Sequence, residues 1–214
     1  MAGFLQSDVN IYKLEKIAAA RDFISKLPKK YIAFAGISGS VSYDPLPEDD
    51  IDIFIISRKN QLWLLLIYAF LARRRLGNQD ICISLCMDTE FAHNFFTPSM
   101  DGLQKQDAHH VIPVSGKEYF SEILRRMEDS RKSPPMGKYA SDDATGFSRH
   151  PKSIVNLVAY ILLASYLNVK GLIFNHRMNA RGTSDHCYTV RAGTHHFYLD
   201  TQKYARLRSE NSSR

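Results

Sequence analysis

The sequence predicts an α+β (α/β) fold, in which helices flank a small mixed sheet and a helical, basic extension follows at the C-terminus. Three short runs, at 31–37, 51–56 and 80–87, are rich in aliphatic residues and bounded by turn-forming ones, as strands are. Longer segments with helical spacing or composition precede the first run and separate the second from the third. Such a succession of elements packs as a sheet covered by helices.

The predicted helices have recognisable ends. Asp8 or Asn10 can cap a first helix that runs to about residue 27, and Pro28 stops it. The helix at 61–76 ends in three arginines, which complement the helix dipole, and Gly77 fits its C-cap. Further helices are predicted at 117–127 and 153–168.

A polar segment divides the chain. Residues 130–153 contain two adjacent prolines and many small polar side chains, which is typical of a long loop. We therefore expect a core at 1–128, a loop or linker at 129–151 and a helical, basic region at 152–214. Residues 1–57 carry 6 Lys/Arg and 8 Asp/Glu, whereas residues 170–214 carry 8 and 3. The basic C-terminal region suits an anionic partner.

Composition excludes several classes of protein. With 44% hydrophobic and 23% charged residues, the 214-residue chain can bury a core and is neither disordered throughout nor of low complexity. Three cysteines, Cys82, Cys86 and Cys187, form neither a disulfide framework nor a CxxC metal pair, which favours a reducing compartment. The first residues lack the pattern of a secretory signal, so a cytoplasmic location is expected.

One apolar segment, at 154–174, is long enough to cross a membrane. It contains Asn156, Asn168 and Lys170, a pattern that favours a buried helix turning polar toward its end, so we expect no membrane association. Exposed apolar surface on this helix would instead favour a homodimer or a partner protein.

The segment 36–56 contains the residues with the clearest chemical pattern. Gly39 and Ser40 leave the first strand, nine residues intervene, and Asp50 and Asp52 flank Ile51 where the second strand begins. Side chains alternate along a strand, so both aspartates project from one face, with Cα atoms roughly 6 to 7 Å apart. Two carboxylates placed together repel unless a cation lies between them, and Mg²⁺ prefers oxygen ligands. The glycine lets the backbone approach phosphates, and the serine adds a hydroxyl.

This arrangement resembles the DNA polymerase β-like nucleotidyltransferase superfamily, in particular its small, minimal members. Their signature is an apolar strand, Gly-Gly or Gly-Ser, a spacer, and an Asp, an apolar residue and an Asp or Glu. The resemblance covers about residues 31–88 and implies a third carboxylate on a later strand. Asp80, which begins a run with one polar face, is the first candidate and Asp88 the second. Many small members continue Gly-Ser with Ala-Arg-Gly, where this chain has Ser42, Tyr43 and Asp44, so one basic phosphate contact is missing.

The resemblance implies an enzyme that transfers a nucleoside monophosphate from an NTP such as ATP to a hydroxyl acceptor and releases pyrophosphate. Asp50, Asp52 and Asp80 would hold two Mg²⁺ or Mn²⁺ ions, with Asp80 as second-metal ligand or base. Gly39 and Ser40 would position the nucleotide phosphates. A small molecule or a protein is favoured as acceptor over RNA, because the chain is short and contains no recognised RNA-binding module.

Other interpretations compete with this one. A non-catalytic nucleotide-binding or partner-binding module on the same fold is favoured by the missing arginine and disfavoured by the three acids. A nucleic-acid-binding protein would use the basic C-terminus. Three weaker candidate sites remain. A zinc group would comprise Asp185, His186, Cys187, His195 and His196, and a histidine pair comprises His109 and His110. A basic, aromatic surface for triphosphate or a base would comprise Arg177, Arg181, Arg191, Tyr188, Tyr198 and Tyr204.

Overall fold

The computed structural model describes residues 10–77, 80–100, 102–129, 151–180 and 188–201. Within these ranges the helices are α1 (Ile11–Ser25), α2 (Leu62–Leu76), α3 (Thr89–Phe95), α4 (Gly102–His110), α5 (Lys117–Glu128) and α6 (Pro151–Ala180). The strands are β1 (Ile32–Ser38), β2 (Ile51–Ser57), β3 (Ile81–Asp88), β4 (Ile112–Ser115), β5 (Tyr188–Ala192) and β6 (His196–Thr201). The predicted α+β class is confirmed.

The six strands form one mixed sheet in the order β4-β1-β2-β3-β6-β5. β2 and β3 are parallel, joined through α2, and every other neighbouring pair is antiparallel. A parallel pair needs a crossover connection, and α2 provides it. The edge strand β4 contains Pro113, a residue that sheets accommodate at their edges because it has no N–H to donate.

The sheet separates two apolar clusters, because alternate residues of each strand point to opposite faces. On one face Ile53 and Ile55 of β2 pack with α1, α2 and α6, around the fully buried Trp63. On the other face Phe54 and Ile56 pack with α3, α4 and α5. The molecule is therefore built of three layers, and Asp52 belongs by its parity to the second face.

The predicted helix ends are confirmed at both helices of the first half. The Asn10 side chain accepts a hydrogen bond from the backbone N–H of Lys13 at 3.1 Å and so caps α1. Gly77 ends α2 in the left-handed conformation, with φ of 63°. Asp8, the other candidate cap, lies outside the described residues.

The C-terminal region differs from the helical extension that was expected. Its helix α6 is 30 residues long, against the shorter one predicted at 153–168, and begins before the predicted loop ends. The hairpin β5–β6 follows and joins the main sheet, because β6 pairs with β3. Residues 130–150, most of the predicted loop, lie outside the described residues.

One helix among the described residues is long and apolar enough to cross a membrane by length and composition, at Ile154–Ala180. In its most apolar window the mean hydropathy is 1.8 and 22% of the residues are buried. Large apolar side chains of this helix therefore face outward.

Candidate metal and nucleotide site

The sheet register places the predicted site residues in one row at one end of the sheet. Ser38, the last residue of β1, pairs with Asp52 of β2, and Asp52 pairs with Cys82 of β3. Asp50 lies directly before β2 and two residues from Asp52, so its side chain points to the same face as that of Asp52. The end of one strand and the beginnings of two others thus meet at the site.

Three side chains there offer metal-ligating atoms to a common point. A carboxylate oxygen of Asp50, one of Asp52 and the sulfur of Cys82 all lie within 4.8 Å of one another. Asp50 is exposed, whereas Asp52 and Cys82 are half-buried. Carboxylates this close repel each other, and a divalent cation between them would remove the repulsion.

Gly39 lies directly against this group. Its φ is +67°, in the left-handed region that favours glycine, and a Cβ on it would lie 2.1 Å from Oδ2 of Asp52. A side chain at position 39 would therefore collide with the carboxylate. The fold thus brings the predicted Gly-Ser turn into contact with the predicted aspartate pair, across the nine residues that separate them in the sequence.

The loop after Gly39 is held by hydrogen bonds and by α1. Gly39–Ser42 forms a short 3₁₀ turn, in which the Ser42 hydroxyl donates to the Gly39 carbonyl at 2.7 Å. The Lys13 ammonium of α1 donates to the Tyr43 carbonyl at 2.5 Å, and Lys16 donates to the Pro47 carbonyl at 3.1 Å. Two lysines of α1 thereby fix the segment that leads to Asp50.

The charged residues around the group affect the pKa of Cys82. Burial, and after it the carboxylates of Asp52 and Asp50, raise the pKa of the Cys82 thiol to about 12, while Arg73 acts in the opposite direction. The thiol donates a hydrogen bond to Asp52. Burial and the neighbouring Cys82 also raise the pKa of Tyr188. Arg73 and Tyr188 therefore belong to the surroundings of the site.

Sequence reasoning assigned Arg73 only to the dipole of α2 and did not place Cys82 at the site. The α2 helix ends directly before β3, so the last turn of that helix and the start of the strand lie at the same end of the sheet. That connection is the signal which could have linked Arg73 to the acids. Parallel pairing of β2 with β3, which sets Cys82 opposite Asp52, was not readable from the residues.

Asp80 is the first candidate for the third carboxylate that the resemblance implies. Asp80 is exposed, precedes β3 and accepts a hydrogen bond from the Ile51 N–H through its backbone carbonyl at 2.7 Å. It is absent from the group formed by Asp50, Asp52 and Cys82 among the described residues. The position opposite Asp52 in the neighbouring strand is taken by a thiol.

Asp88, the second candidate, lies at the other end of β3. It lies six positions after Cys82, a distance of roughly 20 Å along a strand. Its buried carboxylate accepts hydrogen bonds from the N–H groups of Glu90 and Phe91, at 3.1 and 3.0 Å, and contacts His195 Nδ1 at 2.6 Å. Asp88 caps α3 and holds the β5–β6 hairpin, and it is not part of the acidic group.

The weaker candidates are only partly described. Of the proposed zinc group, 185–187 lie outside the described residues, His195 contacts Asp88, and the His196 ring lies 4.4 Å from the Phe91 ring. No group of metal-ligating atoms within the described ranges includes either histidine. Arg181 and Tyr204 of the basic, aromatic surface also lie outside them.

His109 and His110 are the last two residues of α4. His109 Nε2 lies 3.3 Å from the Glu128 carboxylate, and the His110 ring lies 4.3 Å from the Tyr43 ring. The Tyr43 hydroxyl donates to Asp107 at 2.6 Å, and burial together with Asp107 raises the pKa of Tyr43 to about 12. The histidines thus border the loop after Gly39 without joining the acidic group.

No family model matches the chain, and no curated protein or solved structure matches it. The case for a function therefore depends on the geometry of the residues themselves.

Proposed function

We propose that the protein is a metal-dependent nucleotidyltransferase, which transfers a nucleoside monophosphate from an NTP to a hydroxyl acceptor and releases pyrophosphate. The observation that carries the proposal is the approach of Gly39 to Asp52, where a Cβ would lie 2.1 Å from the carboxylate. A phosphate-binding turn beside a carboxylate pair is the arrangement that metal-assisted phosphoryl transfer requires.

The donor set fits a divalent cation, because two carboxylates converge within 4.8 Å. Asp50 and Asp52 would hold Mg²⁺ or Mn²⁺, which prefer such oxygen ligands. When two ions are bound, they supply charge neutralisation of the triphosphate and a lower pKa for the acceptor hydroxyl. The chain itself keeps the carboxylates together and presents the Gly39 N–H and the Ser40 hydroxyl to the β- and γ-phosphates.

Two further residues complete the proposal. Arg73, whose charge acts on Cys82, supplies a cation that the chain lacks after Gly39 and Ser40. Asp80 lies at the exposed rim, two residues before Cys82, where an acceptor arrives from solvent. We assign Asp80 the role of general base toward the acceptor hydroxyl. The favoured acceptor is a small molecule or a protein.

The proposal is tested by incubating the purified chain with each α-labelled NTP and Mg²⁺ or Mn²⁺, with and without cell extract. The Asp50→Ala/Asp52→Ala double variant should lose label transfer by about 1,000-fold or more, because it removes both carboxylate ligands. Its circular dichroism should match the wild type, since neither side chain belongs to the buried core.

Glu48→Gln is the matched control. Glu48 is an exposed acid two residues before Asp50, and its loss should leave label transfer unchanged. Equal turnover in the wild type and the double variant would refute the metal assignment, and an NTP left unconsumed under every condition would refute the enzyme.

A non-catalytic nucleotide-binding module is the second candidate, and one observation favours it. Asp52 pairs with Cys82 of the neighbouring strand β3. The pKa of the Cys82 thiol is raised to about 12, so the thiol is protonated at neutral pH. A protonated thiol neither holds Mg²⁺ well nor accepts a proton from a hydroxyl. Nucleotide binding that needs a divalent metal and Asp52, with no NTP consumed, would establish this module.

A further inference from the structure

The outward face of α6 carries an apolar surface that the described residues leave largely uncovered. Eleven large apolar side chains of this helix are between 36% and 71% exposed. They are Ile154, Val155, Leu157, Val158, Ile161, Leu162, Tyr166, Val169, Leu172, Ile173 and Phe174. Contiguous apolar patches of this kind mark interaction surfaces, because exposing them to water is unfavourable.

A regular seam runs along this face. Positions 155, 158, 162, 165, 169, 172 and 176 are separated by alternating steps of three and four residues, which is the seven-residue repeat of helices that pair. Val155, Val158, Leu162, Val169 and Leu172 are five of these seven, and each is 50% exposed or more. The repeat belongs to the exposed face and is independent of the packing inside the molecule.

The opposite face of α6 is attached to the rest of the fold at both ends. Near the beginning, the Asn156 side chain accepts a hydrogen bond from the backbone N–H of Trp63 in α2 at 2.9 Å. Near the end, the Asn175 side chain donates to the Tyr188 carbonyl of β5 at 2.7 Å. Nineteen residues of helix, roughly 29 Å, therefore lie along the molecule with one side buried and the seam on the other.

This attachment argues against a lipid occupant. A helix that crosses a bilayer faces hydrocarbon or other membrane-spanning segments along its whole length. Here α2 lies along α6 and ends in Arg73, Arg74 and Arg75, so insertion of α6 would take three cations toward the lipid or break the hydrogen bonds of Asn156 and Asn175.

The area agrees with a protein occupant. A specific interface buries about 1,200 to 2,000 Å² in total, which is roughly 600 to 1,000 Å² on each partner. The eleven apolar side chains are on average about half exposed, so at roughly 100 Å² for a whole aliphatic side chain they offer on the order of 600 Å² on each copy, the lower end of that range. A seam with a seven-residue repeat is complementary to a copy of itself, so the second chain can be identical.

We propose that the chain forms a symmetric homodimer through the outward face of α6, with the seam of one copy packed on the seam of the other. The two sheets and their acidic groups then lie on the outside of the pair, because the seam and the buried face are on opposite sides of the helix. The inference does not depend on the proposed enzymatic activity.

Sedimentation equilibrium of the full chain without detergent tests the proposal. The wild type should have twice the mass of one chain. Leu162→Glu and Leu172→Glu, at side chains 67% and 71% exposed, should weaken the dimer by about 100-fold or more, because two carboxylates would be buried without partners. Each monomeric variant should keep its fold, since neither leucine is part of the core.

Leu14→Glu is the matched control, an exposed leucine of α1 at 56%, and it should leave the mass unchanged. A monomeric wild type at 100 times the concentration used for activity assays would overturn the proposal. So would flotation of the wild type with neutral phosphatidylcholine vesicles that is lost in Leu162→Glu, because the face would then bind lipid. A dimer unaffected by both seam variants would overturn it too.

Discussion

Cys82 sets the chemical character of the acidic group. It lies opposite Asp52 in the parallel pair of strands, where a carboxylate would complete an oxygen-only site. Its thiol hydrogen-bonds to Asp52, and burial and the two carboxylates raise its pKa to about 12. Since soft sulfur ligands favour ions such as Zn²⁺ over Mg²⁺, the present donor set is a mixed one.

The first prediction concerns Cys82→Asp, which would place a third carboxylate opposite Asp52. If the chain is a nucleotidyltransferase that tolerates a thiol, Mg²⁺-dependent label transfer should rise by about tenfold, because an oxygen ligand binds Mg²⁺ better than sulfur does. Steady-state label transfer at several Mg²⁺ concentrations measures this change.

Cys82→Ser is the control for that substitution, because it removes the sulfur without adding a charge. It should not raise the rate. If Cys82→Asp were no more active than Cys82→Ser, the position would have no role in metal binding.

His196 gives a pH dependence at the residue scale. Burial lowers its pKa below the ordinary value of 6.5, His195 adds to this effect, and Asp88 opposes it. The unfolded chain therefore binds more protons at this residue just below pH 6.5, so stability falls as the pH drops through that range. Glutamine does not titrate in this range. The free energy of unfolding should therefore fall less in His196→Gln than in the wild type when the pH drops from 7.5 to 5.5.

Urea denaturation at the two pH values measures the difference. At pH 7.5 the wild-type histidine is neutral, so this pH is the internal reference for the variant. Parallel losses of stability in both proteins would show that His196 is not the source of the acid sensitivity.

At the scale of elements, α6 supplies a cap that α2 lacks. Gln61, the residue before α2, does not cap the helix with its side chain. Instead, the buried Asn156 side chain accepts hydrogen bonds from the backbone N–H groups of Trp63 and Leu64, at 2.9 and 3.3 Å. Asn156→Ala should destabilise the protein by about 1 to 3 kcal/mol, because it leaves buried donors without a partner. Chemical denaturation provides the measurement.

Asn168→Ala is the matched control on the same helix. Its side chain donates only to the Ala164 carbonyl within α6 and is exposed, so its loss should change stability by less than about 0.5 kcal/mol. An equal effect of both substitutions would show that the α2–α6 contact is not the cause.

The elements that could be predicted are those with local signals. Asn10 begins α1 and Gly77 ends α2 through contacts within a few residues, and β1 and β2 are strongly aliphatic. The predicted ends of these elements therefore agree with the structure to within one or two residues. The order Gly39, Ser40, Asp50, Asp52 likewise predicted a turn beside an acidic pair. These features depend on residues that are close in the sequence and on the alternating directions of side chains along a strand.

The elements that were not predicted depend on distant partners. β4 is four residues long and contains Pro113, and β5 and β6 have no uninterrupted apolar run, so their pairing within the sheet stabilises them more than their composition does. The place of Cys82 beside Asp52 could not be predicted, because only the register of β3 against β2 brings the two residues together. Long-range register is absent from local sequence patterns.

At the scale of the whole molecule, the proposed metal site would link metal binding to folding. Its donor atoms come from the strand β3 and from the segment that begins β2, which the sheet alone holds within 4.8 Å. Without a metal, the two carboxylates repel each other in the folded state and much less in the unfolded chain. If the proposed metal site is correct, the two carboxylates should therefore lower the stability of the metal-free protein, and a bound metal should raise it.

The last prediction follows from that sign. In the presence of EDTA, Asp52→Asn should melt at the same temperature as the wild type or higher, since one of two repelling charges is gone and the amide oxygen still accepts from Cys82. Mn²⁺ at 100 times its dissociation constant should stabilise the wild type by about 2.7 kcal/mol, or about 5 to 10 °C in Tm for a chain of this size. The same Mn²⁺ should shift Asp52→Asn far less. Thermal denaturation with and without Mn²⁺ measures all four values, and an equal shift in both proteins would place the metal elsewhere.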